Sequence, residues 1–182
     1  VATVTAGSVP VLTVTPAVVE VSKDAVVDLT TGVSVTDAED ATLNITNNGP
    51  LNTSATGVQI ITYSVTDTDG NTVTANRTYV ITSVDEPAIV GTTHVIFASN
   101  FEQLISEVDT TDAAIIGFAN ARAFALVDGS VATVDVTATG GYTGVADTYT
   151  ISFAVVEEPT TTIDAVATVT AGSVPVLTVT PA

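Results

Sequence analysis

The chain has 182 residues, 46% of them apolar, and can therefore bury one or two ordinary cores. Twenty Asp and Glu against three Lys and Arg give a formal net charge of −17, which repels phosphate backbones and excludes nucleic acid as a partner. The lack of Cys excludes disulfides, thiolate metal sites and thiol nucleophiles.

The first and last stretches of the sequence are identical. Residues 1–17 read VATVTAGSVPVLTVTPA, and residues 166–182 repeat all 17 positions, so residue 1 recurs at residue 166, an offset of 165. This period is too long for a solenoid unit and suits one or two globular domains. A natural array of near-identical copies, a fibre whose units overlap and an end duplicated by design would each give the pattern. We favour the array.

Alternation of apolar residues with Thr or Ser is the dominant pattern along the chain, and it predicts β-strands with one buried and one wet face. The alternation runs through LTVTP, QIITYSVT, TVTANRTYVIT, VATVDVTAT and TYTISFAVV. Turn clusters such as NNGP, DTDGN and ATGGYTG separate these runs. The sequence therefore predicts an all-β protein built from β-sandwiches.

The predicted strands group, in chain order, into two modules flanked by parts of two others. Residues 1–7 are predicted to be the last strand of a preceding repeat, because they share the sequence that ends the second module. The first module spans residues 10–84 and the second spans 87–171, while residues 174–182 are the first strand of the following repeat. The hinge at residues 83–87 is short and contains proline, which predicts a semi-rigid linker.

One segment breaks the alternation. Phe101, Leu104, Ile105 and Val108 have helical spacing behind Asn100, a residue type that caps helices. The segment predicts a single short helical turn near residues 101–108.

The first module resembles the bacterial immunoglobulin-like (Ig-like) tandem repeats of surface proteins and adhesin stalks. Residues 29–40 (LTTGVSVTDAED) are similar to the family segment G-V-x-x-x-D-x-E-D, and residues 57–67 (GVQIITYSVTD) to its strand G-x-Y-x-V-x-Y-x-V-x-D. Asp-Gly-Asn at 69–71 is similar to its hairpin turn, whereas Gln59 stands where the family usually has Tyr. Residues 119–130 and 147–155 look like a related variant, so the resemblance implies two Ig-like sandwiches in tandem.

In an Ig-like sandwich the B–C and F–G loops lie at the same end, which would bring two acidic loops of the first module together. Hard cations bind where several carboxylate and carbonyl oxygens converge, so calcium is a possible cofactor there. The alternative is ordinary acidic turn chemistry. The candidate ligands are Asp37, Glu39, Asp40, Asp67, Asp69 and Asn71.

A second calcium site is a weaker hypothesis at the hinge between the modules, where a cation would stiffen the joint. The acidic residues that could meet there are Asp85, Glu86, Asp128, Glu157 and Glu158.

The sequence contains few residues of the types that act as catalytic nucleophiles or bases, with one His and no Cys. His94 is the single histidine, and it lies in an alternating strand without a neighbouring G-x-S-x-G motif, which favours a strand residue over a catalytic base. The uncharged residues 1–19 alternate and contain Pro10 and Pro16, so no membrane insertion is expected in this segment.

These observations predict a structural, non-enzymatic repeat unit of an extracellular or cell-surface fibre or adhesin stalk. Its partners would be neighbouring copies of itself, joined head to tail with strand complementation at the repeated ends. The alternative is an adhesive module that binds a glycan or a host protein, which Tyr142, Phe118 or Phe124 grouped on the surface would favour. An enzyme would need a deep pocket that holds His94 beside a carboxylate.

Overall fold

Period-two alternation produces strands throughout the computed structural model, which describes residues 7–172. The prediction of a mostly β protein with one short helix is confirmed. The chain separates into two compact units. The first unit comprises the residues up to Val84 together with Phe124–Ser130, and the second comprises Asp85–Ala123 and the residues from Val131 onward.

The first unit contains two sheets. One pairs β1 with β3 antiparallel, and the other has the order β2-β6-β5-β4. The long strands β5 and β6 form an antiparallel hairpin that closes at the Asp67–Asn71 turn, while β2 runs parallel to β6. The strands are β1 (Val11–Val14), β2 (Val18–Ser22), β3 (Val33–Thr36), β4 (Thr46–Asn47), β5 (Gly57–Thr66) and β6 (Thr72–Thr82).

The core of the first unit is small. Ile61 and Tyr63 on β5 share one face of the sheet with Tyr79 and Ile81 on β6, as their spacing of two residues dictates, and all four are buried. Their apolar neighbours are only partly buried: Leu12, Val14, Val19, Val21, Val27, Leu29, Val33, Ile45 and Leu51.

The second unit also contains two sheets, and one of their strands, β10, ends in the Phe124–Ser130 segment that belongs to the first unit. Their strand orders are β11-β10-β8-β7 and β12-β13-β14-β9, and in the second sheet β14 runs antiparallel to β13 and parallel to β9. The elements are β7 (Ala88–Val90), β8 (His94–Phe97), β9 (Phe101–Leu104), a 3-10 turn (Ile105–Glu107), α1 (Asp112–Phe118), β10 (Arg122–Ala125), β11 (Val131–Ala132), β12 (Val134–Ala138), β13 (Asp147–Val155) and β14 (Glu158–Thr170).

The core of the second unit is much larger. Sixteen of the described residues form one buried cluster, built around Ile151, Phe153 and Val155 on alternate positions of β13. Ile163, Ala165, Ala167 and Val169 on β14 complete the same face, so both long strands present every second residue to the interior.

The helical turn near residues 101–108 is confirmed only at Ile105–Glu107, and its first four residues are strand β9. Phe101 enters the core, and the strand pairs in parallel with β14, so tertiary contacts outweigh the helical spacing. Asn100 does not cap a helix: its Oδ1 accepts a hydrogen bond from the Val166 N–H at 2.7 Å. The α-helix of the unit lies later, at Asp112–Phe118, where the Thr111 hydroxyl accepts from the Ala114 N–H.

The tandem arrangement of modules at residues 10–84 and 87–171 stays a prediction. Residues 166–170, which carry the repeated sequence, belong to β14. The predicted end strands at residues 1–7 and 174–182 lie outside the described residues, apart from Gly7.

Candidate functional site

Ser8 lies where the two acidic loops of the first unit meet. Its hydroxyl donates to the carboxylate of Asp37 at 3.1 Å and also to that of Glu39. Its backbone N–H donates to the Glu39 Oε2 at 2.9 Å, and its carbonyl oxygen accepts from the Asn71 Nδ2 at 3.2 Å. Ser8 thus contacts both the loop after β3 and the turn between β5 and β6.

The two loops also contact each other directly. Asp40, at the end of the first loop, accepts from the backbone N–H and the hydroxyl of Thr68, both at 3.0 Å. The carboxylate of Asp69 lies against Gly7, where any larger side chain would collide with it. The structure therefore brings the predicted acidic residues of the first unit to one end of the unit.

Hydrogen bonds within the loops hold the remaining carboxylates. Asn71 donates to Asp67 from its backbone N–H and from its side-chain amide, both at 2.7 Å, and Asp67 is buried. The backbone N–H groups of Glu39 and Asp40 lower the pKa of Asp37, with help from the Ser8 hydroxyl. These loops form a hydrogen-bonded clasp that closes on Ser8.

Four of the five carboxylates predicted for the second calcium site, all except Asp85, accept hydrogen bonds from separate partners. Glu86 accepts from Arg122 Nη2 at 2.8 Å and from Asn120 Nδ2 at 2.7 Å. Glu157 accepts from the Thr133 N–H at 3.1 Å. Asp128 accepts from the N–H of Ser130, two residues further along the same turn. Asp85 is the first residue of the second unit.

Glu158 holds the loop between β7 and β8. Its carboxylate accepts from the backbone N–H groups of Thr92 at 2.7 Å, Thr93 at 3.1 Å and His94 at 2.9 Å. Partial desolvation opposes its ionisation, but the three N–H groups outweigh that effect and lower the pKa of Glu158 to about 2. Across residues 7–172, no three Asp, Glu or His side chains form a group that could hold a metal ion, and both calcium sites stay predictions.

His94 does lie beside a carboxylate. Its Nδ1 is 2.9 Å from the Thr93 hydroxyl and 3.6 Å from the Glu158 Oε2. The Glu158 carboxylate already accepts three backbone hydrogen bonds, so it anchors the loop between β7 and β8.

Arg77, like Ser8, is a structural feature of the first unit that the sequence patterns left unassigned. It is only 2% exposed, and its guanidinium donates to four backbone carbonyl oxygens. The distances are 2.9 Å to Pro16 from Nε, 2.7 Å to Thr31 from Nη1, and 2.9 Å to Thr15 and 3.2 Å to Gly32 from Nη2. We call Arg77 and these four carbonyls the arginine clamp. It joins the end of β1 to the segment that enters β3.

A signal for the clamp exists in the sequence. Arg77 has the same parity along β6 as Tyr79 and Ile81, which predicts an inward-facing arginine. The guanidinium lies 5.8 Å from the ring centre of Tyr63, whose hydroxyl donates to the Leu29 carbonyl at 2.8 Å. Burial, together with the neighbouring Tyr79 hydroxyl, raises the pKa of Tyr63 to about 12, so the phenol stays a donor.

Two of the three aromatic residues that would favour a binding module, Tyr142 and Phe118, are grouped in the interior of the second unit, whereas Phe124 is partly buried in a segment of the first unit. Tyr142 is 4% exposed and makes edge-on contacts with Phe101 and Tyr149, at centroid distances of 6.0 and 5.6 Å. Phe118, half-buried, lies 5.7 Å from Phe101. Phe101, Phe118, Tyr142 and Tyr149 therefore pack together as part of the hydrophobic core of the second unit.

Residues 27–81 match the family described as bacterial surface protein, Ig-like domain. The chain thus contains a bacterial surface Ig-like domain. The match begins before β3 and ends within β6, so it includes both acidic loops, Tyr63 and Arg77. No curated protein matches the chain.

The Ig-like family that residues 27–81 match is generally non-enzymatic, and the match suggests a cell-surface or extracellular location. Between Gly7 and Gly172, no helix has the length and apolar character that a membrane span requires.

Proposed function

We propose that the chain is a structural repeat unit of an extracellular or cell-surface fibre or adhesin stalk, assembled head to tail with a period of 165 residues. The observation that carries the proposal is the identity of residues 1–17 and 166–182. Seventeen matching positions at a domain-sized offset are typical of an array of near-identical units. The Ig-like domain supports the surface location.

The strand pairing of the Ig-like domain suits a unit that carries tension. Within the part of the first unit that runs up to Val84, β2 lies near the beginning and β6 near the end, and the two strands run parallel over five residue pairs from Val18↔Thr78 to Ser22↔Thr82. Pulling the start of β2 away from the end of β6 slides one strand along the other. The hydrogen bonds between them are then loaded together, because they are evenly spaced along a parallel pair.

The charge of the chain supports a fibre as well. A net charge of −17 with three basic residues gives neighbouring fibres a mutual repulsion, which opposes lateral aggregation of exposed strand edges. The rival adhesive module gains no support from the aromatic residues, since Tyr142, Phe101 and Tyr149 are buried together.

Electron microscopy of the native material tests the proposal. We expect beaded rods whose axial repeat corresponds to one 165-residue period, and labelling with an antibody against the second unit should recur at that spacing. Isolated globules of single-chain mass would contradict the proposal.

A further inference from the structure

We propose that Asn48 is a site of spontaneous covalent modification, at which the side-chain amide is lost by reaction with the backbone nitrogen of Gly49. The two residues lie in the NNGP turn directly after the edge strand β4, and Asn48 is exposed. They form the only Asn-Gly pair of the sequence. The inference concerns the chemistry of the Ig-like domain itself and does not depend on the proposed fibre.

The reaction closes a five-membered ring. The Gly49 nitrogen loses its proton to hydroxide and forms a bond to the side-chain carbonyl carbon (Cγ) of Asn48. The bond between Cγ and the amide nitrogen then breaks, and that nitrogen takes a proton from water and leaves as ammonia. Water opens the resulting succinimide ring at one of its two carbonyl carbons. Opening at Cγ gives aspartate, whereas opening at the main-chain carbonyl gives isoaspartate, whose backbone runs through the former side chain.

The attacking nitrogen of Gly49 is accessible. The residue has a φ of +128°, a region that glycine adopts readily, and no heavy atom of the described residues lies within 4 Å of the place where a Cβ would stand. Its N–H donates to the Asn47 Oδ1 at 3.1 Å, an acceptor on an exposed side chain and not in a strand ladder. Hydroxide can therefore remove the proton without breaking a strand pair.

The side-chain carbonyl of Asn48 has a donor placed to stabilise negative charge. Its Oδ1 accepts a hydrogen bond from the Thr62 N–H at 3.1 Å, and the Asn48 N–H donates to the Thr62 carbonyl at 3.1 Å. Attack on Cγ turns Oδ1 into an oxyanion, and a fixed backbone N–H stabilises that charge more than it stabilises the neutral amide. The β5 strand thus supports the ring closure, in which nucleophile and carbonyl are already joined in one chain.

Two Asp-Gly pairs, at 69–70 and 128–129, could close the same ring but are held in less reactive states. In both turns the glycine N–H donates to a backbone carbonyl, at 3.3 and 2.9 Å respectively. The hydroxyl and the N–H of Ser130 lower the pKa of Asp128, which keeps its carboxylate ionised and makes it a poor electrophile. The amide of Asn48 does not ionise, so it should react first.

Isoaspartate at position 48 would open the edge of the sheet. β4 pairs with β5 at two positions, and the two hydrogen bonds between Asn48 and Thr62 extend that pairing by one residue. Isoaspartate adds a methylene to the backbone and moves the carboxylate onto Cα, so the acceptor for the Thr62 N–H is lost. The edge of β5 would then be free to pair with another strand.

Ageing of the full, folded chain at mildly alkaline pH tests the proposal. Peptide mapping by tandem mass spectrometry follows the conversion of each asparagine to its acid, and an isoaspartate-specific methyltransferase measures the isoaspartate formed. We expect Asn48 to convert about tenfold faster than Asn47, which is exposed in the same turn but is not followed by glycine. A folded chain that keeps Asn48, while a urea-unfolded sample loses it, would overturn the proposal.

Two variants control for the chemistry. Gly49→Ala fills empty space and crowds the attacking nitrogen, so it should slow the loss of the Asn48 amide about tenfold. Because the positive φ of residue 49 strains an alanine, Asn48→Gln is the second control, and its longer side chain should slow ring closure without changing Gly49. Conversion at position 48 at the rate of the unaltered chain, in either variant, would contradict the mechanism.

Hydrogen exchange of the Thr62 N–H separates the two products. Asn48→Asp reproduces the normal product with an acceptor retained, and it should leave that exchange unchanged. The isoaspartate fraction, purified from the aged chain, should exchange the same proton faster. Equal exchange in this fraction and in the unaged chain would show that β4 stays closed, and would overturn the predicted opening of the sheet edge.

Discussion

The main buried cluster of the first unit contains four apolar side chains, whereas that of the second contains sixteen of the described residues. The first unit adds a buried guanidinium, the Ser8 clasp between two acidic loops and the parallel pairing of β2 with β6. Two units of similar length and strand content therefore differ in the interactions that stabilise them. Apolar burial dominates the second unit, and directional hydrogen bonds carry a larger share in the first.

The largest expected effect is a truncation in the large core. Ile151→Ala removes a fully buried side chain from β13 and should lower the free energy of unfolding of the second unit by about 4 kcal/mol, because the dense surroundings cannot close the cavity. Ile61→Ala, on the equivalent long strand of the first unit, should cost about 2 kcal/mol, since partly exposed neighbours can relax. Urea unfolding followed by hydrogen exchange of β5 and β13 would measure both. Equal losses would remove the contrast between the cores.

The arginine clamp should be the next most sensitive feature. Arg77→Met keeps the length of the side chain and removes the guanidinium donor from four carbonyl oxygens, of which, among the described residues, only that of Gly32 keeps a second donor, the Thr15 N–H, so the first unit should lose about 3 kcal/mol. The control is Arg122→Met, at a residue whose side chain is 30% exposed and pairs with Glu86, with an expected loss of about 1 kcal/mol from the second unit. The same unfolding experiment compares them. A smaller effect for Arg77 than for Arg122 would show that the clamp contributes little.

The loop anchor in the second unit predicts a dependence on pH. The folded state holds the pKa of Glu158 at about 2, below its ordinary value of 4.5, so its stabilising contribution is present above pH 4.5 and is lost as the pH falls toward 2. Glu158→Gln should lower the thermal midpoint of the second unit at pH 7 and flatten its decline between pH 4.5 and pH 2. Glu102→Gln, at an exposed position of the same unit, should leave that decline unchanged. Parallel curves for all three proteins would rule out the anchor as the cause.

The smallest expected effect concerns calcium at the acidic loops. If the predicted site forms, about 1 mM calcium should raise the thermal midpoint of the first unit by a few degrees and leave the second unit unchanged. Asp40→Asn removes one charge while keeping an acceptor for Thr68, and it should abolish that shift. Identical midpoints with calcium and with a chelator would contradict the site and leave the loops as a hydrogen-bonded clasp.

Much of the fold follows from period-two alternation. The runs QIITYSVT and TVTANRTYVIT predict β5 and β6 with Tyr63, Tyr79 and Ile81 on one face, and the DTDGN turn between them is the observed hairpin closure. The helical spacing of Phe101 and Leu104 was misleading, because a four-residue segment adopts the conformation its neighbours impose, and β14 offers a free edge.

The candidate site could be predicted in part. The B–C and F–G loops of an Ig-like sandwich meet at one end, and Asp40 does contact Thr68 across them. The contribution of Ser8 could not be foreseen, because it comes from a segment 29 residues before Asp37 whose path no local pattern fixes. The alternation along β6 predicts that Arg77 faces inward, whereas its charge alone predicts that it lies on the surface. A guanidinium can be buried only where carbonyl oxygens accept its hydrogen bonds, and here they come from two loops that are distant in sequence.

The arginine clamp also affects the stability of a first unit that lacks its first strand. A first unit without its β1 segment keeps Arg77 in the interior with half of its acceptors gone, so its unfolded form is more populated. Proteolysis acts on that open form and removes the least stable copies first. The clamp thereby links the resistance of the first unit to proteolysis to the docking of its first strand.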